Sequence, residues 1–232
     1  MKHSFLATMT FVILACGVSS DTGINKSFFV SDGEHKKGNL TAVNGTISVG
    51  NEASVLGDCS TVNGQIVIGE NSEVREASCV NGSISIDRNS KASRLSCVNG
   101  SIEMGSEVKI DGTVSTVNGS IKAKRETAIA GNMETVNGDM YALETLIGGD
   151  MSTVNGDIEL LENTIVKGDI IIDRKQKQSK FREYKKLVIT VDSGSKVEGS
   201  IRVKGDDPNV TVVLAGGGEV LGEILNAEVV RK

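Results

Sequence analysis

The residues of this chain able to carry chemistry are few and far apart. Cysteine occurs four times, at Cys16, Cys59, Cys79 and Cys97, and histidine twice, at His3 and His35. No cysteine has a partner at metal-ligand spacing and no histidine lies near one, so neither a metal nor a cofactor is expected. Asp139, Asp150, Asp157 and Asp169 each follow a glycine. A row of carboxylates is what glycan-cleaving enzymes gather in a groove, where one acid protonates and another attacks or activates water. Without the calcium-binding repeat G-G-x-G-x-D, a solvated acidic face is the expected reading of these four. The chain is therefore read as non-catalytic, with an enzyme acting on envelope glycans as the remotest alternative.

A second chemical feature is basic. The stretch Asp173 to Lys186 (D-R-K-Q-K-Q-S-K-F-R-E-Y-K-K) carries Arg174, Lys175, Lys177, Lys180, Arg182, Lys185 and Lys186 against two acids. It reads as a loop that could meet anionic lipid headgroups, lipopolysaccharide or an acidic partner, with Phe181 and Tyr184 as apolar contacts. A merely solvated insert is the plainer alternative. The net charge of the whole chain is -5, which argues against a nucleic-acid binder, since that would need a basic face.

The third feature is at the start. Lys2 and His3 precede the apolar run Phe5 to Ala15, which has the length of a signal-peptide h-region and is too short to span a bilayer. It ends in Ile13-Leu14-Ala15-Cys16, which resembles a bacterial lipobox. Cys16 is thus the candidate for lipidation and membrane tethering, with cleavage shortly after Cys16 without lipidation, or a retained anchor, as the alternatives. Residues 1–20 are read as the signal and 21–232 as the mature domain. Export would place that domain in the periplasm or at the cell surface, as an outer-membrane lipoprotein if tethered.

What must position any of these groups is a repeat. The tripeptide Val-Asn-Gly recurs with asparagine at Asn44, Asn63, Asn81, Asn99, Asn118, Asn137 and Asn155, at spacings of 19, 18, 18, 19, 19 and 18. A weaker copy at Asn25 has Lys26 in place of glycine. Three residues after each asparagine stand Phe28, Ile47, Ile66, Ile84, Ile102, Ile121, Met140 and Ile158, and two further on another largely aliphatic column runs from Val30 to Leu160. Polar residues alternate with them, as in a strand with one buried face. An aliphatic-x-Gly-x-aliphatic motif follows 12 or 13 residues after most asparagines, and continues in Val166 to Ile170, Val197 to Ile201 and Val220 to Ile224.

Eighteen or nineteen residues cannot contain a strand and a crossover helix. They suit one three-sided coil, with successive coils pairing in parallel and like residues stacking. The fold expected is all-β: a single-stranded parallel β-helix of about ten coils, right-handed by expectation and on the order of 45 Å long, with residues 173–186 thrown out as a basic loop. The low aromatic content and 27 glycines against one proline suit such a solenoid better than a globular core.

Within that frame the asparagine column reads as structural, with Asn-Gly accepting a left-handed corner and stacked amides bonding from coil to coil. The same context weighs against glycosylation of the Asn-x-Ser/Thr sites. Sequence leaves open whether the valine before each asparagine points in or out, and a core column is the favoured reading. Cys79 and Cys97 share a column on neighbouring coils, within reach of a disulfide in an oxidising compartment, or else they remain buried thiols. Cys59 reads as a small core residue.

The segments Ser115-Thr116-Val117-Asn118-Gly119-Ser120-Ile121 and Thr153-Val154-Asn155-Gly156-Asp157-Ile158 resemble the bacterial adhesin families of unknown function, including the autotransporter-head-like type. That resemblance spans roughly residues 24–170 and implies an exported β-helical protein, with no functional residues to carry over. The coil is also similar to that of bactofilins, which implies a self-assembling, polymer-forming scaffold as the alternative to a structural or adhesin-like surface protein. Self-association or an envelope partner follows from these readings, its identity unspecified.

Overall fold

The computed structural model describes residues 20–174, 186–205 and 209–232. Cys16 and the rest of 1–19, and Lys175, Lys177, Lys180, Arg182 and Lys185, lie outside the described residues. Every regular element among those described is a β-strand, and every strand pairing is parallel. The chain winds as a β-solenoid of about ten coils.

Each typical coil contributes three short strands. One leads up to the asparagine, as in Leu40–Asn44, Cys59–Asn63, Val114–Asn118 and Met133–Asn137. The next follows the Val-Asn-Gly corner, as in Ile47–Val49, Ile66–Ile68, Ile84–Ile86 and Ile121–Ala123. The third is a two-residue strand, as in Ser54–Val55, Lys109–Ile110 and Ile165–Val166. Like pairs with like throughout: Ile47 with Ile66, Ile66 with Ile84, Ile84 with Ile102, and Ile102 with Ile121.

In two coils the third and first strands fuse into the continuous strands Glu73–Asn81 and Lys91–Asn99. Elsewhere a glycine corner intervenes, with Gly57, Gly112, Gly131 or Gly149. These two coils are 18 residues long, and the residue they omit belongs to that corner, so the chain runs straight through it.

The interior is one continuous aliphatic stack. The columns read three and five residues after the asparagine are buried from Phe28 and Val30 to Ile158 and Leu160. Alternation in these strands puts one side chain inward and the next outward, so a three-residue strand such as Ile47–Val49 gives the core two residues per coil. The valine column corrects the expectation of a core position. Val43, Val62, Val80, Val98, Val117, Val136 and Val154 are half-buried and face outward. The strand alternation set by Leu40 and Ala42 carries through Val43 and breaks at Asn44, which is exposed like an outward residue, so the corner begins at the asparagine and not before the valine. Stacked valines one coil apart then shield each other from the side.

The coils lengthen where the sequence spacing does. Leu187–Val191 stacks on Ile158–Leu161 through a connection that places Ile189 against Ile158, and Val210–Leu214 follows with Val212 against Ile189. The extra residues of the first connection fall between Asp173, the last residue of a strand, and Lys186, and the expected basic loop lies there outside the described residues.

Candidate functional site

Asparagine, the most regular polar group of the sequence, forms an unbroken amide ladder along one corner. Asn44 Nδ2 donates to Asn25 Oδ1 at 2.8 Å, and the same bond repeats from Asn63, Asn81, Asn99, Asn118, Asn137 and Asn155, each to the asparagine one coil before, at 2.8–2.9 Å. Each interior amide donates and accepts within the column, which is how identical side chains stacked at strand spacing satisfy one another.

The reason for the glycine after each asparagine differs from the expectation. Of the ladder residues only Asn25 has a left-handed backbone, with φ 54°. The left-handed corner is instead the one after the isoleucine strands, at Glu52, Asn71, Asn89, Glu107, Glu126, Glu144 and Glu162, with φ from 47° to 61°. At the asparagine corner glycine is required by close approach. A Cβ on Gly82 would lie 1.7 Å from Gly64 O, and one on Gly119 2.0 Å from Gly100 O. Lys26 occupies this column in the first coil, where no earlier described coil presses on it, and it is the Lys26 carbonyl that a Cβ on Gly45 would strike, at 2.3 Å.

The cysteines divide as their columns suggest. Cys79 and Cys97 are paired in register on adjacent coils, with Cα atoms 4.6 Å apart, and are joined as a disulfide. Cys59, one coil earlier, is a buried free thiol, and burial followed by the neighbouring Asp58 carboxylate pushes its pKa up to about 12. A thiol held that firmly neutral is a poor nucleophile and metal ligand.

A second polar column, missed from the sequence, lines the inside of the left-handed corner. Ser72 Oγ donates to Gly50 O at 2.7 Å, Ser90 Oγ to Gly69 O at 2.7 Å, Thr127 Oγ1 to Gly105 O at 2.9 Å, and Thr164 Oγ1 to Ala142 O at 3.1 Å. These hydroxyls give otherwise buried carbonyls their partners. The signal was present as Ser or Thr nine residues after several asparagines, hidden because Ala53 and Val108 interrupt it.

The four aspartates do not form one row. Asp139 and Asp157 stand at the asparagine corner, where Asp139 Oδ1 accepts from Asp157 N at 2.9 Å and Asp157 Oδ1 from Val188 N at 2.8 Å. Asp150 and Asp169 stand at the glycine corner, where their Oδ1 atoms accept from Asp169 N and Ser200 N, each at 2.8 Å. Each carboxylate caps the backbone N–H of the coil that follows, which accounts for its recurrence in structural terms. His35 lies on the exposed surface of an early coil with Nδ1 2.8 Å from Ser54 Oγ. Among the described residues no group of three His, Cys, Asp or Glu could hold a metal ion.

Of the basic stretch, Arg174 and Lys186 are described. Lys186 is exposed. Arg174 corrects the expectation of a loop cation: it is 1% exposed, continues the strand alternation of Ile170–Asp173 inward, and donates from Nε to Val154 O at 3.2 Å. By register it takes the place on its coil that Asn155 takes one coil earlier.

Surface ion pairs run between coils, as in Arg75 with Asp58 at 2.5 Å and Arg125 with both Glu144 and Glu162. At the first coil Lys36 Nζ lies 2.6 Å from Asp21 Oδ2. Asp21 stacks on Leu40 and Lys36 on Val55, so the pair occupies positions that later coils give to core residues and covers the core's first rung with charge. Among the described residues no helix is long and apolar enough to cross a membrane. Compared with known proteins, the chain matches no family model, no curated protein and no solved structure.

Proposed function

We propose that this chain is an exported, non-catalytic protein of the bacterial cell envelope with a structural or adhesin-like role, displaying a long repetitive surface and tethered through a lipid on Cys16. The observation that carries the reading is the unbroken stack of like rungs, in which the repeated polar groups are spent on coil-to-coil bonding and the outward columns face solvent along the rod. The Cys79–Cys97 disulfide supports export, because such bonds persist in oxidising compartments. The test is palmitate labelling with cell fractionation, comparing the natural chain with Cys16→Ala. Label and membrane association in the first, both lost in the second, are expected. A full-length chain that stays in the cytoplasm with reduced cysteines overturns the proposal.

A second reading, a self-assembling scaffold, is favoured by the last described coils. Leu221, Leu225 and Val229 are exposed there, and Glu228–Arg231 has a strand partner on one side only among the described residues. Exposed apolar side chains of this kind suit contact with a second copy. Sedimentation of the purified protein over a concentration series separates the readings, since a strict monomer excludes the scaffold.

A further inference from the structure

Seven Asn-Gly dipeptides lie on one corner of this solenoid, and Asn-Gly is the sequence most prone to losing its amide. In that reaction the glycine backbone nitrogen attacks the asparagine Cγ, and the new C–N bond closes a succinimide ring. Ammonia departs with the nitrogen's proton, and water then opens either ring carbonyl to leave aspartate or isoaspartate. The attack needs a free glycine N–H and a carboxamide able to turn toward it.

Six of the seven are denied both. Gly45, Gly64, Gly82, Gly100, Gly119 and Gly138 each donate their N–H to the carbonyl of the asparagine one coil on, at 2.9–3.1 Å. The amides of Asn44, Asn63, Asn81, Asn99, Asn118 and Asn137 are each held from both sides, donating to one neighbour and accepting from the next. The last dipeptide differs. Asn155 donates to Asn137 Oδ1 at 2.9 Å, but no group among the described residues donates to its Oδ1, and Gly156 N has no acceptor among them. The cause is local: Arg174 stands on the following coil where an eighth asparagine would continue the ladder, and its Nε goes to the Val154 carbonyl instead.

We propose that Asn155 is a site of spontaneous deamidation in the folded protein, the one Asn-Gly of the array released to react. The product carboxylate cannot donate to Asn137 Oδ1, so conversion removes the last rung of the amide ladder and sets a negative charge against a carbonyl oxygen.

The test is incubation of the folded, full-length protein at mildly alkaline pH, with peptide mapping by mass spectrometry over time. Asn155 is expected to convert at least about tenfold faster than any of the other six, within the factor that the two net hydrogen bonds it lacks confer on a local opening equilibrium. In denaturant all seven are expected to convert at similar rates. Asn155→Gln, which keeps an amide but closes the ring poorly, is expected to abolish the early product in the folded state. Conversion at another asparagine first, even conversion across the seven, or the same preference for Asn155 in the denatured chain each overturns the proposal.

Discussion

Replacing Gly82 by alanine tests the physical basis of the corner. Gly82 lies outside the left-handed region, so the substitution adds a methyl group without a torsional penalty. That Cβ would sit 1.7 Å from Gly64 O and 2.7 Å from its carbon, both backbone atoms that no rotamer change can move. A carbon and a carbonyl oxygen rest no closer than about 3.3 Å, so the two coils must separate or slide by roughly 1.6 Å at this point. Three bonds cross that gap nearby: Gly64 N to Asn81 O at 3.0 Å, Ile66 N to Ser83 O at 2.9 Å, and the amide bond of Asn81 to Asn63 at 2.9 Å. A displacement of that size breaks or badly bends all three. At a net value of about 1 kcal/mol each, Gly82→Ala should destabilise the protein by roughly 3 kcal/mol, a large part of what a domain of this kind has in total.

Lys26→Ala provides the control. Lys26 occupies the same column and already carries a Cβ, so it should change stability by less than about 0.5 kcal/mol. Urea unfolding followed by circular dichroism gives the difference. Hydrogen exchange resolved by peptide shows whether the loss is centred on the coils of Gly64 and Gly82, as expected of an array whose units touch only their neighbours. A Gly82→Ala protein within about 1 kcal/mol of the natural one would refute the contact argument and leave the glycine column as a turn preference only.

Other outcomes follow from single contacts. Reducing the Cys79–Cys97 bond, which closes a separation of 18 residues, should cost about 3 kcal/mol by loop entropy, read as a lower urea midpoint in reductant and absent from a Cys79→Ala/Cys97→Ala protein. Cys59, with its pKa pushed up to about 12, should resist alkylation at pH 8 in the folded state and react fully in denaturant; ready labelling of the folded protein would contradict its burial. The Lys36 ammonium, by its hydrogen bond and then its charge, holds the Asp21 carboxyl below the usual carboxylate range. Any stability it adds is complete above the unfolded carboxyl pKa and is lost as pH falls through the lower folded value. An NMR titration of Asp21 should therefore shift upward in Lys36→Met, and an unchanged midpoint would dismiss the ion pair.

Periodicity made the coil legible because like residues paired in parallel must recur once per turn, and the isoleucine column alone sets that turn. The amide ladder and the Cys79–Cys97 pair follow from the same stacking. What a one-dimensional pattern left obscure is where each corner falls relative to strand parity. Val43 and its equivalents look like core by composition, yet the strand runs on to the asparagine and turns them outward. Asn-Gly tolerates a left-handed corner and so attracts that reading, while the chain places the corner at a column rich in glutamate, whose side chains reach solvent at an outer bend. Arg174 reads in sequence as one of the cations that follow it, because sequence does not show that the strand before it continues one residue further inward.

The ladder that dominates the sequence is also the part of the surface least able to recognise anything. Its donors and acceptors are paired with one another, and the glycines beside it are locked by contact with the coil before. Recognition by such a rod has to use side chains that vary while their backbone position repeats. The outward column of the isoleucine strands has that character: Phe29, Ser48, Val67, Ser85, Glu103, Lys122, Tyr141, Glu159, Thr190 and Val213 succeed each other in register. Phe29 stands 71% exposed at one end of that column, and Glu103, Lys122 and Glu159 alternate in sign around Tyr141 further along. A partner that reads this column meets apolar and charged positions at fixed strand spacing, so substitutions there should alter binding while leaving the fold intact. Substitutions in the ladder should do the reverse.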